Sequence, residues 1–387
     1  MAAVVRGRAR AQASPSLPVR ELPRVRPPGV SAWRTLECVT VYELSLQQLT
    51  DRLSGWGEPA FRAKQVYAQL WKRAAEYEEM SDVSPVLRER LAVELPARME
   101  VLDERTADRG ATRKAVLRLG ERGHVIETVL MGYRDRVTVC VSSQVGCAMG
   151  CGFCATGQTG LESHLTAGEI AAQVVWARRE AVRLPGSTPQ RLSNVVFMGM
   201  GEPLGNERHV FAAIARLTDP QAFGLGARHV TVSTVGLVPG IRHLTTAHPQ
   251  VGLAVSFHAA SDELRSQLVP PNDLYPLAVL EEAMAAWRSA THRRPSIEWA
   301  MIDRVNDAVE QARLLAPIAR RLCAHVNLIP LNPTPGYPVV GSSPARIRRF
   351  VDVLERANVN VTVRDTRGRT IDAACGQLAL SAQASDR

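Results

Sequence analysis

Cys147, Cys151 and Cys154 stand in a C-x3-C-x2-C arrangement within the run CVSSQVGCAMGCGFCATG. Three thiolates so close in the chain, on a loop loosened by Gly146, Gly150 and Gly152, can close around one metal centre. A closed zinc site wants four ligands, which usually arrive as two separated pairs. A three-cysteine loop suits a four-iron cluster with one iron left open, since thiolates are the usual ligands of such clusters. The competing reading is a zinc knuckle completed by a distant Cys or His, because soft thiolates serve both metals.

The rest of the composition narrows the setting. Seven cysteines is an odd number, and four of them fall between Cys140 and Cys154. That clustering opposes an evenly spaced secreted disulfide scaffold and fits thiols kept reduced in a cytoplasm. No stretch approaches the ~20 apolar residues of a membrane helix. A net charge of +9 favours a polyanionic partner. Nearly all of that charge is arginine, Lys64, Lys72 and Lys114 being the only lysines. Arginine suits bidentate phosphate contacts, although a compositional bias of the genome gives the same count.

The elements that must position these residues follow from periodicity. Residues 1–35 read as a disordered basic tail, rich in Arg, Ala and Pro and without the apolar core of a signal peptide. Residues 36–98 read as a helical RNA-binding accessory module, whose basic outer positions also read as an ordinary solvated helix face. There VYELSLQQLTDRLSGWG has helical spacing, FRAKQVYAQLWKRA places Val66, Leu70 and Trp71 on one face, and SPVLRERLAVEL follows. Residues 99–132 alternate as a small β element, with Gly120 and Gly123 marking a turn. From 133 to 370, seven apolar strands (RVTVCVSS, SNVVFMGMG, RHVTVSTVG, VGLAVSFHA, SIEWAMID, HVNLIPLN and NVTVRDT) alternate with helical runs. One of these runs opens with the capping-box pair Thr166 and Glu169.

Strand–helix repetition with continuous apolar strands means a parallel sheet covered by helices. No phosphate-binding G-x-x-x-x-G-K-[ST] loop is present, and no G-x-G-x-x-G opens a helix after the first strand. The expected fold is therefore α/β, a partial (β/α) barrel preceded by the helical module and the small β element. Residues 371–387 form a C-terminal segment. In such barrels the chemistry sits at the carboxyl ends of the strands. The cysteine loop, Gly199 to Glu202, Ser233, Ser256 with His258, and Asn332 all fall at such ends. Each alone also reads as a turn or strand-capping residue.

These motifs resemble the RlmN/Cfr family of radical-SAM RNA methyltransferases, and most closely its RlmN branch. The likeness runs from about Leu46 to Leu380 and is carried by GEPAFRAKQVYAQLW, ETVLM, CVSSQVGCAMGCGFCATG, VVFMGMGEPLGN, VTVSTVGLVPGI, LAVSFHA, VNLIPLNPTPG and TVRDTRGRTIDAACGQLA. It implies a [4Fe-4S] cluster on Cys147, Cys151 and Cys154, whose open iron chelates S-adenosylmethionine (SAM). It assigns SAM contacts to Gly201, Glu202, Ser233, Ser256, Phe257, His258 and Asn332. It makes Cys375 the acceptor of a methyl group from one SAM. A second SAM, cleaved reductively, then activates that methyl for addition to adenine. Cys140 resolves the resulting RNA adduct by forming a disulfide with Cys375, and Glu127 handles the proton.

The residue types suit this chemistry. Adenine C2 is not nucleophilic, so direct transfer of an electrophilic methyl should fail. A thiolate can accept the methyl and later leave by disulfide formation, and a partly buried carboxylate can be tuned for proton transfer. Without the resemblance, Cys140 reads as a strand-core thiol and Cys375 as a tail thiol. Cys38 and Cys323 match no family position and are expected to pack.

The implied substrates are an adenine of the peptidyl-transferase centre of 23S rRNA and a tRNA adenine beside the anticodon. An electron donor such as flavodoxin is implied as partner, with a cytoplasmic location and a monomer as the default. A Cfr-like product methylated at C8 is the alternative within the family; a zinc-containing RNA-binding protein without catalysis is the alternative outside it. The chain departs from the family pattern at Ser163-His164, where an Arg-Asn pair is usual. It departs again at Ala259-Ala260 and at Pro270-Pro271-Asn272-Asp273.

Overall fold

The computed structural model describes residues 40–186, 191–334, 336–365, 367–374 and 376–378. The expected basic tail, Cys38 and Cys375 lie outside the described residues.

The chain enters through helices α1 (Leu46–Ser54), α2 (Ala60–Ala68) and α3 (Pro85–Glu94). Ser45 and Gln48 close a capping box on α1, satisfying amide donors that a bare helix start leaves open. Val66, Leu70 and Trp71 are buried together, as their spacing requires. The helix does not run on regularly through them. Its last turn widens to a π-helical turn over Gln69–Arg73 and stops at Ala74, which is left-handed at φ 52°. The freed carbonyl of Trp71 accepts the Arg178 guanidinium at 2.6 Å. Gly168 N donates to Glu43 Oε1 at 2.8 Å, so the module is tied to the helix that carries both partners.

Strands β1 (Met99–Ala107), β2 (Thr112–Leu119), β3 (His124–Gly132) and β4 (Val137–Cys140) follow. Gly120 and Gly123, both at positive φ, turn the chain between β2 and β3. Next come β5 (Gln144–Cys147), α4 (Ala155–Gln158), β6 (Gly160–His164) and α5 (Ala167–Ala181). The Thr166–Glu169 capping box opens α5. The remaining alternation is β7 (Asn194–Phe197), α6 (Glu207–Thr218), β8 (Val230–Thr234), α7 (Val238–Ala247), β9 (Gly252–Ser256), α8 (Asp262–Leu268) and α9 (Leu277–Thr291). It ends with β10 (Ser296–Met301), α10 (Val309–Arg321), β11 (His325–Pro330), α11 (Pro344–Arg356) and β12 (Asn360–Val363).

Ten of these strands form one sheet in the order β1-β2-β3-β4-β7-β8-β9-β10-β11-β12, and β5 pairs with β6 apart from it. Within the ten-stranded sheet, β4 and β7–β12 pair in parallel and β1–β4 pair antiparallel; β5 and β6 are antiparallel. No pairing joins β12 back to β1 among the described residues, so the barrel is partial. The alternating segment before residue 133 is the antiparallel edge of this same sheet, through pairs such as Val129–Cys140. The seven expected strands are β4 and β7–β12. Val195, Val232, Val255, Ile297 and Val326 are fully buried beneath the covering helices, the continuous burial that a parallel sheet demands. Cys323, expected to pack, is instead exposed where the chain leaves α10, at φ 47°. No helix among the described residues is long and apolar enough to cross a membrane.

Candidate functional site

A cleft with about 1060 Å³ of empty space opens at the carboxyl ends of the parallel strands. Cys147, Cys151 and Cys154 line it, together with Gly201, Glu202, Ser233, Ser256, His258 and Asn332. Cys147 ends β5, and its neighbour Gly146 lies opposite the β6 backbone at φ 72°. A Cβ there would collide with the Gly160 carbonyl, so only glycine lets the two strands close. Burial pushes the Cys147 thiol up to about 11 and the Cys151 thiol further. A coordinated metal reverses that cost by taking the thiolate form outright. Among the described residues, no three His, Cys, Asp or Glu donors converge on a single ion. Three soft donors lining one cleft suit an iron–sulfur cluster, whose usual ligands are thiolates.

The turn after β7 is built on Gly201 and Glu202. Gly201 sits at φ 95°, and a Cβ there would come within 2.5 Å of Gln144 Cβ. Glu202 is buried; its Oε1 accepts from Leu204 N at 3.0 Å and its Oε2 from Val235 N at 2.8 Å. Burial nevertheless pushes its carboxyl up to about 7. The Thr234 side chain bonds the same carboxyl, which still lines the cleft where a ligand amine can reach it. Gln144 Oε1 accepts from Glu202 N at 2.8 Å, and Gln144 Nε2 lies 3.0 Å from His164 Nδ1. His164 therefore braces the Glu202 turn.

His258 is buried and left-handed at φ 59°. Its Nδ1 accepts from Ala300 N at 2.9 Å, which leaves the proton on Nε2. Burial, with Arg265 nearby, pushes its pKa down to about 3, so the ring is neutral at physiological pH. Phe153 meets it edge-on at 4.7 Å. Phe257 is different. It is fully buried and does not line the cleft; its backbone amide donates to Glu298 O and its carbonyl accepts from Arg265 Nε.

Two buried charges here went unnoticed in the sequence. Glu298 lines the cleft, opposite Ser256 in the strand register, and its Oε1 accepts from Asn327 Nδ2 at 2.9 Å. A carboxylate in the otherwise apolar run SIEWAM was the available signal. Arg265 lies behind the cleft and holds the ends of β8 and β9 together. It donates to the carbonyls of Val235, Ser256 and Phe257 and to Asn272 Oδ1, the last at 2.9 Å.

Cys140 and Glu127 lie outside the cleft. Cys140 lines a neighbouring cavity of about 500 Å³. Met198, Ile329, Arg364 and Leu378 line both spaces and form a common wall. Glu127 is buried on β3, and its Oε1 accepts from Lys114 Nζ at 2.8 Å. The residues flanking position 375 reach both spaces: Ala374 lines the Cys140 cavity and Gly376 lines the cleft. Gly376 O accepts from Ala155 N at 2.8 Å, one residue beyond Cys154.

Comparison with known proteins gives the same outline. Residues 39–95 match the family described as the ribosomal RNA large subunit methyltransferase N-terminal domain, and residues 141–307 match the radical SAM superfamily. A probable dual-specificity RNA methyltransferase RlmN of Chloroflexus aurantiacus is 48% identical, over 88% of this chain and 92% of its own. Its counterpart in Thermobifida fusca is 50% identical, over 88% and 94%. The crystal structure of a radical SAM methyltransferase from Sphaerobacter thermophilus superposes with a TM-score of 0.85 at 45% identity, covering 89% of this chain and 100% of that one.

Proposed function

The chain belongs to the RlmN family of radical-SAM RNA methyltransferases, and from that membership we propose that it methylates C2 of adenine in 23S rRNA and in tRNA beside the anticodon. The observation that carries this reading is the common wall between the thiol-lined cleft and the Cys140 cavity, with Ala374 and Gly376 on its two sides. Methyl acceptor, resolving thiol and SAM site must be neighbours for a two-SAM reaction to work.

The roles divide along that wall. Cys147, Cys151 and Cys154 would hold a [4Fe-4S] cluster. Glu202 receives the SAM amino group, Gly201 lets the backbone approach it, and Ser233, Ser256, His258 and Asn332 complete the pocket. His258 offers an Nε2–H donor that does not titrate near neutrality. When bound there, the cluster would supply the electron for reductive cleavage of SAM. Cys375 carries the methyl group as a thioether, since adenine C2 cannot attack SAM itself. Glu127 accepts the proton lost from the modified ring, and Cys140 releases the RNA as it bonds to the sulfur of Cys375. Exposed Lys64, Lys72 and Arg73 on the helical module supply an RNA-docking face, and a flavodoxin-type protein supplies electrons.

The test is twofold. Cys140→Ala, incubated with SAM, reductant and rRNA, should accumulate a covalent RNA–protein adduct. Normal turnover without adduct refutes the role of Cys140. Digestion and mass spectrometry of the RNA product against both isomers then decides position, and 8-methyladenine would replace C2 by C8.

A further inference from the structure

We infer that Lys114 is a positioning residue that ties Glu127 to the C-terminal segment, and that an ammonium rather than a guanidinium is required for it. The inference rests on the role given to Glu127 above and extends it to a residue with no assigned part.

The strand register makes the arrangement. Lys114 on β2 lies opposite Val129 on β3, and Val129 lies opposite Cys140 on β4. Paired residues share a face, and so do residues two apart on one strand. Lys114, Glu127 and Cys140 therefore project from the same side of the sheet. Lys114 and Glu127 are both nearly inaccessible, at 5% and 2% exposure. Lys114 Nζ donates to Glu127 Oε1 at 2.8 Å and to the Asp372 carbonyl at 3.2 Å.

That second bond gives the pair its purpose. The described residues of 368–378 are fastened upstream, in the middle and downstream. Gly368 N donates to Asp108 Oδ2 at 3.0 Å on the upstream side. Downstream, Ala155 N and Thr156 Oγ1 donate to the carbonyls of Gly376 and Leu378, and Gln377 Nε2 donates to the Pro333 carbonyl at 3.1 Å. Lys114 is the middle fastening, and among these donors it is the one that also bonds Glu127. It thereby fixes the carboxylate relative to backbone three residues before Cys375.

Composition sharpens the point. Of 47 basic residues only Lys64, Lys72 and Lys114 are lysine, and the other two are exposed. A chain that meets almost every demand for positive charge with arginine has a lysine at this buried position. An ammonium is a compact point charge whose donors rotate to two acceptors at different angles; a guanidinium presents a planar fork and needs more room.

The experiment compares wild type with Lys114→Met, Lys114→Arg, Glu127→Gln and the Lys114→Met/Glu127→Gln double variant. In protein without cluster, hydrogen–deuterium exchange over 368–378 should quicken in both Lys114 variants while β8–β11 exchange as in wild type. In loaded enzyme, Lys114→Met should lower kcat for RNA methylation by about 10²-fold, the lower end of a positioned base's contribution, with KM for RNA unchanged. The double variant should be no slower than Glu127→Gln, because both changes disable one unit. Lys114→Arg should not restore the rate. Independent, multiplying losses in the double variant, unaltered exchange, or full rescue by arginine would each overturn the inference. If Lys114→Met does not fold, Lys114→Gln carries the same comparison with the charge removed and an amide donor retained. Absence of S-methylated Cys375 in wild type incubated with SAM would sink the underlying functional reading, while the exchange result would still decide whether Lys114 fastens the segment.

Discussion

Replacing Arg265 by methionine tests how the SAM side of the cleft is held. Arg265 is 1% exposed, and its guanidinium reaches Val235 O at 2.6 Å, Asn272 Oδ1 at 2.9 Å, Ser256 O at 3.1 Å and Phe257 O at 3.2 Å. Burial lowers its pKa to about 10, so it stays charged at neutral pH. Methionine fills much of the same volume but satisfies none of these acceptors. Relief from burying a cation offsets part of the loss, leaving roughly 1 kcal/mol per orphaned acceptor and about 4 kcal/mol in all. Unfolding entropy of about 2 cal/mol/K per residue converts this to a fall in Tm of roughly 5–6 °C for a chain of this size. The loss should also reach the ligand, because Val235 N–H is one of the two amides that hold Glu202. Differential scanning fluorimetry reads the first effect, and calorimetric titration with S-adenosylhomocysteine reads the second. A variant melting within about 1 °C of wild type, with unchanged affinity, would show that these bonds do not organise the site.

Gly201→Ala should cost about 1–3 kcal/mol from the left-handed backbone alone and abolish S-adenosylhomocysteine binding by displacing Gln144. Gly205→Ala, with no neighbour nearer than 3.5 Å, is the control and should behave as wild type. His258 gives a pH dependence. Its folded pKa is about 3 against 6.5 unperturbed, so only the unfolded chain takes up this proton as pH falls. Stability should therefore decline below pH 6.5 by up to about 1.4 kcal/mol per unit and level off near the folded value. His258→Asn, which tolerates the same backbone, should flatten that slope in urea titrations, and equal slopes would show that the ring is not buried neutral. Cys151→Ala should lose the brown chromophore and most iron from a protein carrying about four irons per chain; zinc without iron in wild type would refute the cluster.

What the sequence made legible follows from what is local. The parallel strands announce themselves as short apolar runs between helical periods, and the three thiols lie on one loop. Contacts between strands distant in sequence were hidden. Lys114 and Glu127 are thirteen positions apart, and only the β2–β3 register puts them in contact. Glu298 gains its place from a pairing with Ser256 on another strand. The three successive positions Ser256, Phe257 and His258 show a different limit. Side chains on extended backbone alternate between faces, which turns Phe257 away from the face of Ser256, and the left-handed turn at His258 (φ 59°) brings its ring to the cleft. Ser256 and His258 enter it; Phe257 goes to the core.

The same geometry shows how residues outside the cleft act on it. His164 and Asn272 do not line the cleft. His164 braces Gln144, which holds the Glu202 amide, and Asn272 receives Arg265, which holds the Val235 carbonyl. Both act one step behind the SAM side. Cys140 and Glu127 come from the antiparallel edge of the sheet, across the wall formed by Met198, Ile329, Arg364 and Leu378. Changes at His164 and Asn272 therefore retune how firmly the cofactor side is held, while the thiol and carboxylate proposed for methyl transfer are positioned by a separate set of strand pairings.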